Sequence, residues 1–158
     1  MGRGMVCVDL SPYVPMKHGR KKGQTIHQVT TIELLKDIGT QVMKTLGTGH
    51  PERVYHRAMI TALNKKKVSH RSEVLSPIYF MGEIVGVGRC DLVLKGIAVE
   101  IKANARHPRK ALPQLRKYIC NLSRTEKRQY SGLIINFNQK TCGVQTWFAQ
   151  GFTPCKSE

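Results

Sequence analysis

Arg89-Cys90-Asp91-Leu92-Val93-Leu94-Lys95-Gly96-Ile97-Ala98-Val99-Glu100-Ile101-Lys102 reads as a β-hairpin with an acid on its first strand and Glu-x-Lys on its second. Lys95-Gly96 is the turn: its flanks are apolar and β-branched, and Gly tolerates φ > 0. A two-residue turn there pairs Leu94 with Ile97, Val93 with Ala98, Leu92 with Val99 and Asp91 with Glu100. Opposed residues share a face with Cβ atoms roughly 5 Å apart. Lys102 lies on that face about 6.6 Å further along, at ~3.3 Å per residue. Facing carboxylates repel unless a cation joins them, so the pair points to a divalent metal with an ammonium beside it. The bare pattern also fits a solvated strand face with one ion pair. Leu92, Val99 and Ile101 alternate with the polar set and turn the opposite face to a core.

The 158 residues suit one domain, and 41% hydrophobic content suits a globular one. No apolar run is long enough to span a bilayer, and no secretory signal is visible. Met1-Gly2 could open a myristoylation signal, but Val6 stands where Ser or Thr is needed. Five scattered cysteines without Cys-x-x-Cys spacing imply a reduced, intracellular chain with no structural zinc. The histidines form no ligand pair, and His50, His56 and His107 are candidate phosphate contacts.

Twenty-six basic residues against 10 acidic ones give a net charge of +16, a statement about partners rather than fold. Nucleic acid is the polyanion it suits best, and no basic amphipathic helix with a strong apolar face supports a membrane surface. The charge is clustered. From Glu100 to Arg128 nine basic residues face two acids, so the densest segment begins at the hairpin site. Arg106, Arg109, Lys110, Arg116 and Lys117, with Tyr118, are its candidate nucleic-acid contacts.

Residues 1–29 read as a flexible basic arm, with Pro12, Pro15 and the run Lys17-His18-Gly19-Arg20-Lys21-Lys22. Residues 30–150 read as the folded domain and 151–158 as a tail. Apolar spacing predicts helices over 31–46, from His50-Pro51 to about 65, and over 113–122. Strands are predicted over 73–81, 84–94, 97–103, 132–137 and 143–149, giving the order ααβββαββ around one mixed sheet.

Gly47-x-Gly49-x-x-Glu52-x-x-Tyr55, Glu73, Tyr79, Gly86-x-Gly88-Arg89-x-Asp91, Glu100-Ile101-Lys102-Ala103, Gln114-x-x-x-Tyr118 and Gly132-Leu133-Ile134-Ile135-Asn136-Phe137 follow one another along the chain. In that order they resemble the GxxExxY family of the PD-(D/E)XK nuclease-like superfamily, over about residues 32 to 150. This chain has His50-Pro51 where many bacterial members carry two leucines. The resemblance implies an α/β fold with a restriction-endonuclease-like αβββαβ core, a central mixed β-sheet flanked by helices. It implies that Asp91 and Glu100 hold Mg²⁺ (or Mn²⁺), that Lys102 is the catalytic lysine, and that Glu52 is a helix-borne acid facing the site. Gln114 and Tyr118 would be the Gln-x-x-x-Tyr helix found near such sites.

The function expected on these grounds is Mg²⁺-dependent hydrolysis of DNA phosphodiester bonds. Asp91, Glu100 and the Ile101 carbonyl hold the metal, which polarises the phosphate and acidifies an attacking water. Lys102 orients that water or stabilises developing charge. RNA is the alternative substrate, a homodimer is compatible with cutting two strands, and no membrane partner is expected. The location would be cytoplasm or nucleus, or a virion for a viral source. The rival readings are a non-catalytic basic nucleic-acid-binding or packaging protein on the same fold, and an RNA-binding protein of ribosomal type. Four Phe and one Trp leave the latter little for base stacking, although five Tyr could contribute.

Overall fold

The computed structural model describes residues 26–151. Residues 1–25 of the expected arm and 152–158 of the expected tail lie outside the described residues. The elements are α1 (Ile26–Leu46), α2 (Glu52–Lys65), β1 (Arg71–Phe80), β2 (Glu83–Leu94), β3 (Ile97–Lys102), α3 (Ala111–Thr125), β4 (Ser131–Asn138) and β5 (Gly143–Ala149). The order is the one expected. Two helices run longer than their predicted limits. Residues 26–29, expected in the arm, form the first turn of α1, where Gln28 Nε2 donates to Ser131 Oγ at 3.0 Å. Helix α3 begins before Pro113, which sits in the first turn where its missing N–H leaves no bond unmade.

One five-stranded sheet has the order β1-β2-β3-β4-β5. Only the β3–β4 pair is parallel, and α3 is its crossover. Lys95 (φ 47°) and Gly96 (φ 77°) both sit left-handed, as a type I′ hairpin turn requires. The expected pairs Leu94–Ile97, Val93–Ala98 and Leu92–Val99 all form.

Two cores follow from the period-two alternation of the strands. Leu92, Leu94, Ile97, Val99, Ile101, Leu133, Ile135 and Phe137 meet α1 and α2, whose Ile32, Leu35, Ile38, Tyr55, Met59 and Leu63 recur at helical spacing. Cys90, Val93, Ala98 and Ile134 meet Leu115, Tyr118, Ile119 and Leu122 of α3 on the other face. Gly132 brings β4 close beneath α3: a Cβ there would stand 2.6 Å from Ile119 Cδ1 and 2.7 Å from Leu115 Cδ2.

Candidate active site

The site lies where β2 and β3 stop pairing. Their ladder ends at Leu92 opposite Val99, so the expected strand pair of Asp91 with Glu100 does not form. Instead Asp91 Oδ2 accepts the Ile101 N–H at 2.7 Å, the side chain standing in for a ladder carbonyl. On the other side, β1 pairs Ser72 with Leu92 and Val74 with Cys90 but skips Glu73, whose φ is 52°. Asp91 thus leaves both ladders. Its carbonyl accepts from His56 Nε2 of α2 at 3.1 Å. Strand irregularities of this kind re-aim a side chain next to functional sites.

Glu100 is 2% exposed, although it sits in the position of a strand's polar face. Its Oε1 lies 2.8 Å from Lys102 Nζ, and its buried Oε2 has no hydrogen-bond partner. Burial, and then the charge of Asp91, push the Glu100 carboxyl up to about 7 against the pull of Lys102. The charge of Asp91 thus still acts on Glu100 although the strand pair is lost. Burial works to lower Lys102, but its bond to Glu100 and the charges of Glu100, Glu52 and Asp91 outweigh it, so the ammonium is held more firmly than usual. Glu52 Oε1, 3.3 Å from the same Nζ, stands in the first turn of α2.

The Gly-x-Gly-x-x-Glu-x-x-Tyr stretch explains how Glu52 reaches the site. Gly47 (φ 70°) and Gly49 (φ 91°) make the left-handed bends between α1 and α2. Tyr55, fully buried, stacks on Phe137 at 4.6 Å and donates its hydroxyl proton to the Gly47 carbonyl at 2.8 Å. Gln139 Oε1 accepts the Gly49 N–H at 2.7 Å. The loop is therefore tied at both glycines, and α2 starts with its acid over β3. Beyond Lys102 the buried amide of Asn136 accepts the Asn104 N–H at 2.9 Å and donates to its carbonyl at 3.2 Å, fixing the exit of the Glu-x-Lys strand.

Gln114 and Tyr118 lie together on α3. The Tyr118 hydroxyl oxygen accepts from Gln114 Nε2 at 2.8 Å and from the Arg89 N–H at 3.1 Å. Tyr118, expected at the nucleic-acid surface, is 4% exposed, its ring seated over Gly88 of β2. Arg106, Arg109, Lys110 and Lys117 are exposed and Arg116 is half-buried, along the β3–α3 connection and the first turns of α3. Among the histidines, His50 Nε2 meets the Leu46 carbonyl at 3.1 Å, and the His107 ring lies 4.6 Å from Trp147. His56, expected as a phosphate contact, holds the Asp91 carbonyl instead, and Asn136, quoted only within its apolar motif, holds Asn104; sequence reasoning missed these site-shaping roles. The i, i+4 spacing of His56 from Glu52 was the available signal for the first.

The donor set fits a hard divalent cation. A buried carboxylate oxygen without a partner, beside a second carboxylate, is costly unless a cation or proton meets it. Among the described residues no three His, Cys, Asp or Glu side chains gather in ligand geometry, so two carboxylates, a main-chain carbonyl and water would complete the shell, as suits Mg²⁺. The Cys90 thiol, buried beside the acids, is pushed up to about 12 by burial and then by Glu100 and Asp91, so it stays a neutral thiol.

The family model of the PD-(D/E)XK nuclease superfamily matches residues 29–146, and the chain belongs to that superfamily. Its members are generally nucleases and usually use Mg²⁺ or Mn²⁺, although some are inactive. No curated protein and no solved structure matches the chain significantly. No helix among the described residues is long and apolar enough to cross a membrane.

Proposed function

We propose that the chain is a Mg²⁺- or Mn²⁺-dependent deoxyribonuclease, of the GxxExxY kind within its superfamily. The observation that carries this reading is Glu100: a buried strand carboxylate with one oxygen on Lys102, the other unpartnered, and Asp91 close by. A solvated strand face does not bury its acid.

Asp91, Glu100 and the Ile101 carbonyl would hold the metal, which when bound supplies Lewis-acid polarisation of a phosphate and a more acidic water. The chain's own residues do the rest. Lys102 keeps its proton and places a fixed positive charge beside the reacting phosphate, where charge builds in the transition state. Glu52 aims that ammonium from α2. Gln114 holds Tyr118, and Tyr118 holds the main chain of β2 two residues before Asp91. Arg106, Arg109, Lys110, Arg116 and Lys117 neutralise backbone phosphates and so position the strand without reading sequence.

The second reading, a non-catalytic DNA- or RNA-binding or packaging protein, is favoured by one observation. Lys102 already bridges Glu100 and Glu52, so the acids are partly neutralised without a metal. One experiment separates the two. Wild type and Asp91→Asn are incubated with single-stranded, duplex and branched DNA and with RNA, with and without Mg²⁺ or Mn²⁺. Metal-dependent cleavage of DNA by wild type, lost in Asp91→Asn while binding is kept, is the expected result. No cleavage of any substrate by wild type leaves the packaging reading, and preferential cleavage of RNA moves the substrate.

A further inference from the structure

Strand β3 pairs with β2 only from Leu92 to Leu94, whereas β1 pairs with β2 from Glu83 to Val93. The far halves of β1 and β2 therefore run past the sheet as a two-stranded ribbon at its edge. Eight of the nine exposed large apolar side chains among the described residues lie on this ribbon, between 75 and 87. Met81 at its turn is 88% exposed, and Leu75, Phe80 and Val85 are each more than 60% exposed. Exposed apolar side chains clustered on one strand pair in this way mark an interaction surface, and neither helix layer covers them.

We propose that this ribbon docks a second copy of the chain, ribbon against ribbon. The charge map selects that occupant. From Val74 to Gly88 there is no Lys or Arg and one acid, Glu83, in a chain with 26 basic residues. Two chains of charge +16 repel across most of their surface, and this segment lets them meet without cation facing cation. The same lack of cations gives a nucleic-acid backbone little to bind here. Pro77, in the middle of the edge strand β1, removes a backbone donor, so the copies meet through side-chain faces rather than by extending the sheet. The ribbon contains none of the residues assigned to the metal or to phosphate, so the inference stands apart from the proposed activity.

The test is sedimentation velocity of the full chain over a concentration series at low and high salt. A dimer is expected, better populated at high salt because screening removes the remaining repulsion. Phe80→Lys combined with Val87→Lys, both exposed, should weaken self-association by ~10-fold or more, with a melting temperature equal to the wild type's at concentrations where both are monomeric. Hydrogen exchange of the wild type, dilute against concentrated, should show added protection over 75–87, and this measurement decides if the double variant does not fold. A wild type that stays monomeric in both salts, a variant that dimerises like wild type, or protection confined to another segment each overturns the proposal. If a monomeric wild type binds branched DNA or neutral lipid vesicles through the ribbon, the surface belongs to that partner and the second copy is excluded.

Discussion

His56 Nε2 donates to the Asp91 carbonyl across 3.1 Å, and Glu52, one turn earlier on the same helix, meets Lys102 at 3.3 Å. One face of α2 thus grips both strands of the site. His56 makes up for the ladder bond that Asp91 gives up when its side chain turns to Ile101. His56→Ala should leave that carbonyl without its partner, cost about 1 kcal/mol of stability, and lower cleavage by roughly 10- to 100-fold, the range for supporting partners of ligands. His56→Gln, which keeps a donor, should recover part of the rate. Single-turnover rates beside melting curves check this; a wild-type rate in His56→Ala would reduce the contact to packing.

Glu100 makes metal-free stability depend on pH. Its folded value is raised to about 7, above the ordinary carboxyl range, so the native state binds the proton more tightly than the unfolded chain. The resulting stabilisation is complete below about pH 4.5 and is lost as pH rises to about 7, by on the order of 3 kcal/mol at ~1.4 kcal/mol per unit. Melting temperature without metal should therefore fall from about pH 5 to about pH 8, and Glu100→Gln should flatten the curve. Metal must displace the same proton, so Mn²⁺ affinity should rise through that interval. Equal slopes for wild type and Glu100→Gln would place the carboxyl in an ordinary environment.

The fold and the core of the candidate site were legible for a common reason: both rest on short-range periodicity. Lys95-Gly96 fixes the hairpin register as far as Leu92 opposite Val99, and strand alternation puts Glu100 and Lys102 on one side of β3, but the pairing expected to bring Asp91 opposite Glu100 does not form. What escaped depends on three-dimensional substitution of one group for another. No pattern announces that the Asp91 carboxylate will replace a ladder carbonyl, or that Glu73 will turn left-handed opposite it. The helix spacing places Tyr118 inward, yet only the missing Cβ of Gly88 shows that its ring reaches β2. Leu75, Val85 and Val87 alternate as core residues do, and the sequence gives no sign that β3 is too short to carry a layer over them. The start of α1 was missed because His27-Gln28-Val29 carry no strong helix signal and their docking is tertiary.

Gly88 offers a packing test with an internal control. A Cβ at Gly88 would stand 2.9 Å from Tyr118 Cε1, whereas one at Gly86 would stand 3.6 Å from Ile78 Cδ1, an ordinary contact. Gly88→Ala should displace the Tyr118 ring, loosen the Arg89 bond and destabilise by about 1–3 kcal/mol, the cost of overpacking. Gly86→Ala should be close to neutral. Denaturant titrations of both variants measure the difference. Equal stability would mean that Tyr118 yields without loss, and that its bond to β2 contributes little.

Lys102 separates catalysis from charge balance. Its ammonium bridges Glu100 at 2.8 Å and Glu52 at 3.3 Å. Lys102→Met leaves a buried carboxylate without its cation; the Glu100 carboxyl, already pushed up to about 7 against the pull of Lys102, then rises further, so the change is mild where the acid keeps a proton and strongly destabilising at alkaline pH, where it must ionise. Removing both partners, in Glu100→Gln with Lys102→Met, should restore much of that stability, because neither charge is then left alone. Bound metal should likewise rescue the single variant, since the cation supplies what the ammonium gave. Activity should follow a different rule. In saturating Mg²⁺ the folded Lys102→Met protein should cleave more slowly by on the order of 10²–10³, the scale for losing one oxyanion-type stabiliser. Melting curves with and without metal at two pH values, read beside single-turnover rates, distinguish the outcomes. A folded, metal-binding Lys102→Met protein that cuts at the wild-type rate would make Lys102 a counter-ion for Glu100 and remove it from the mechanism.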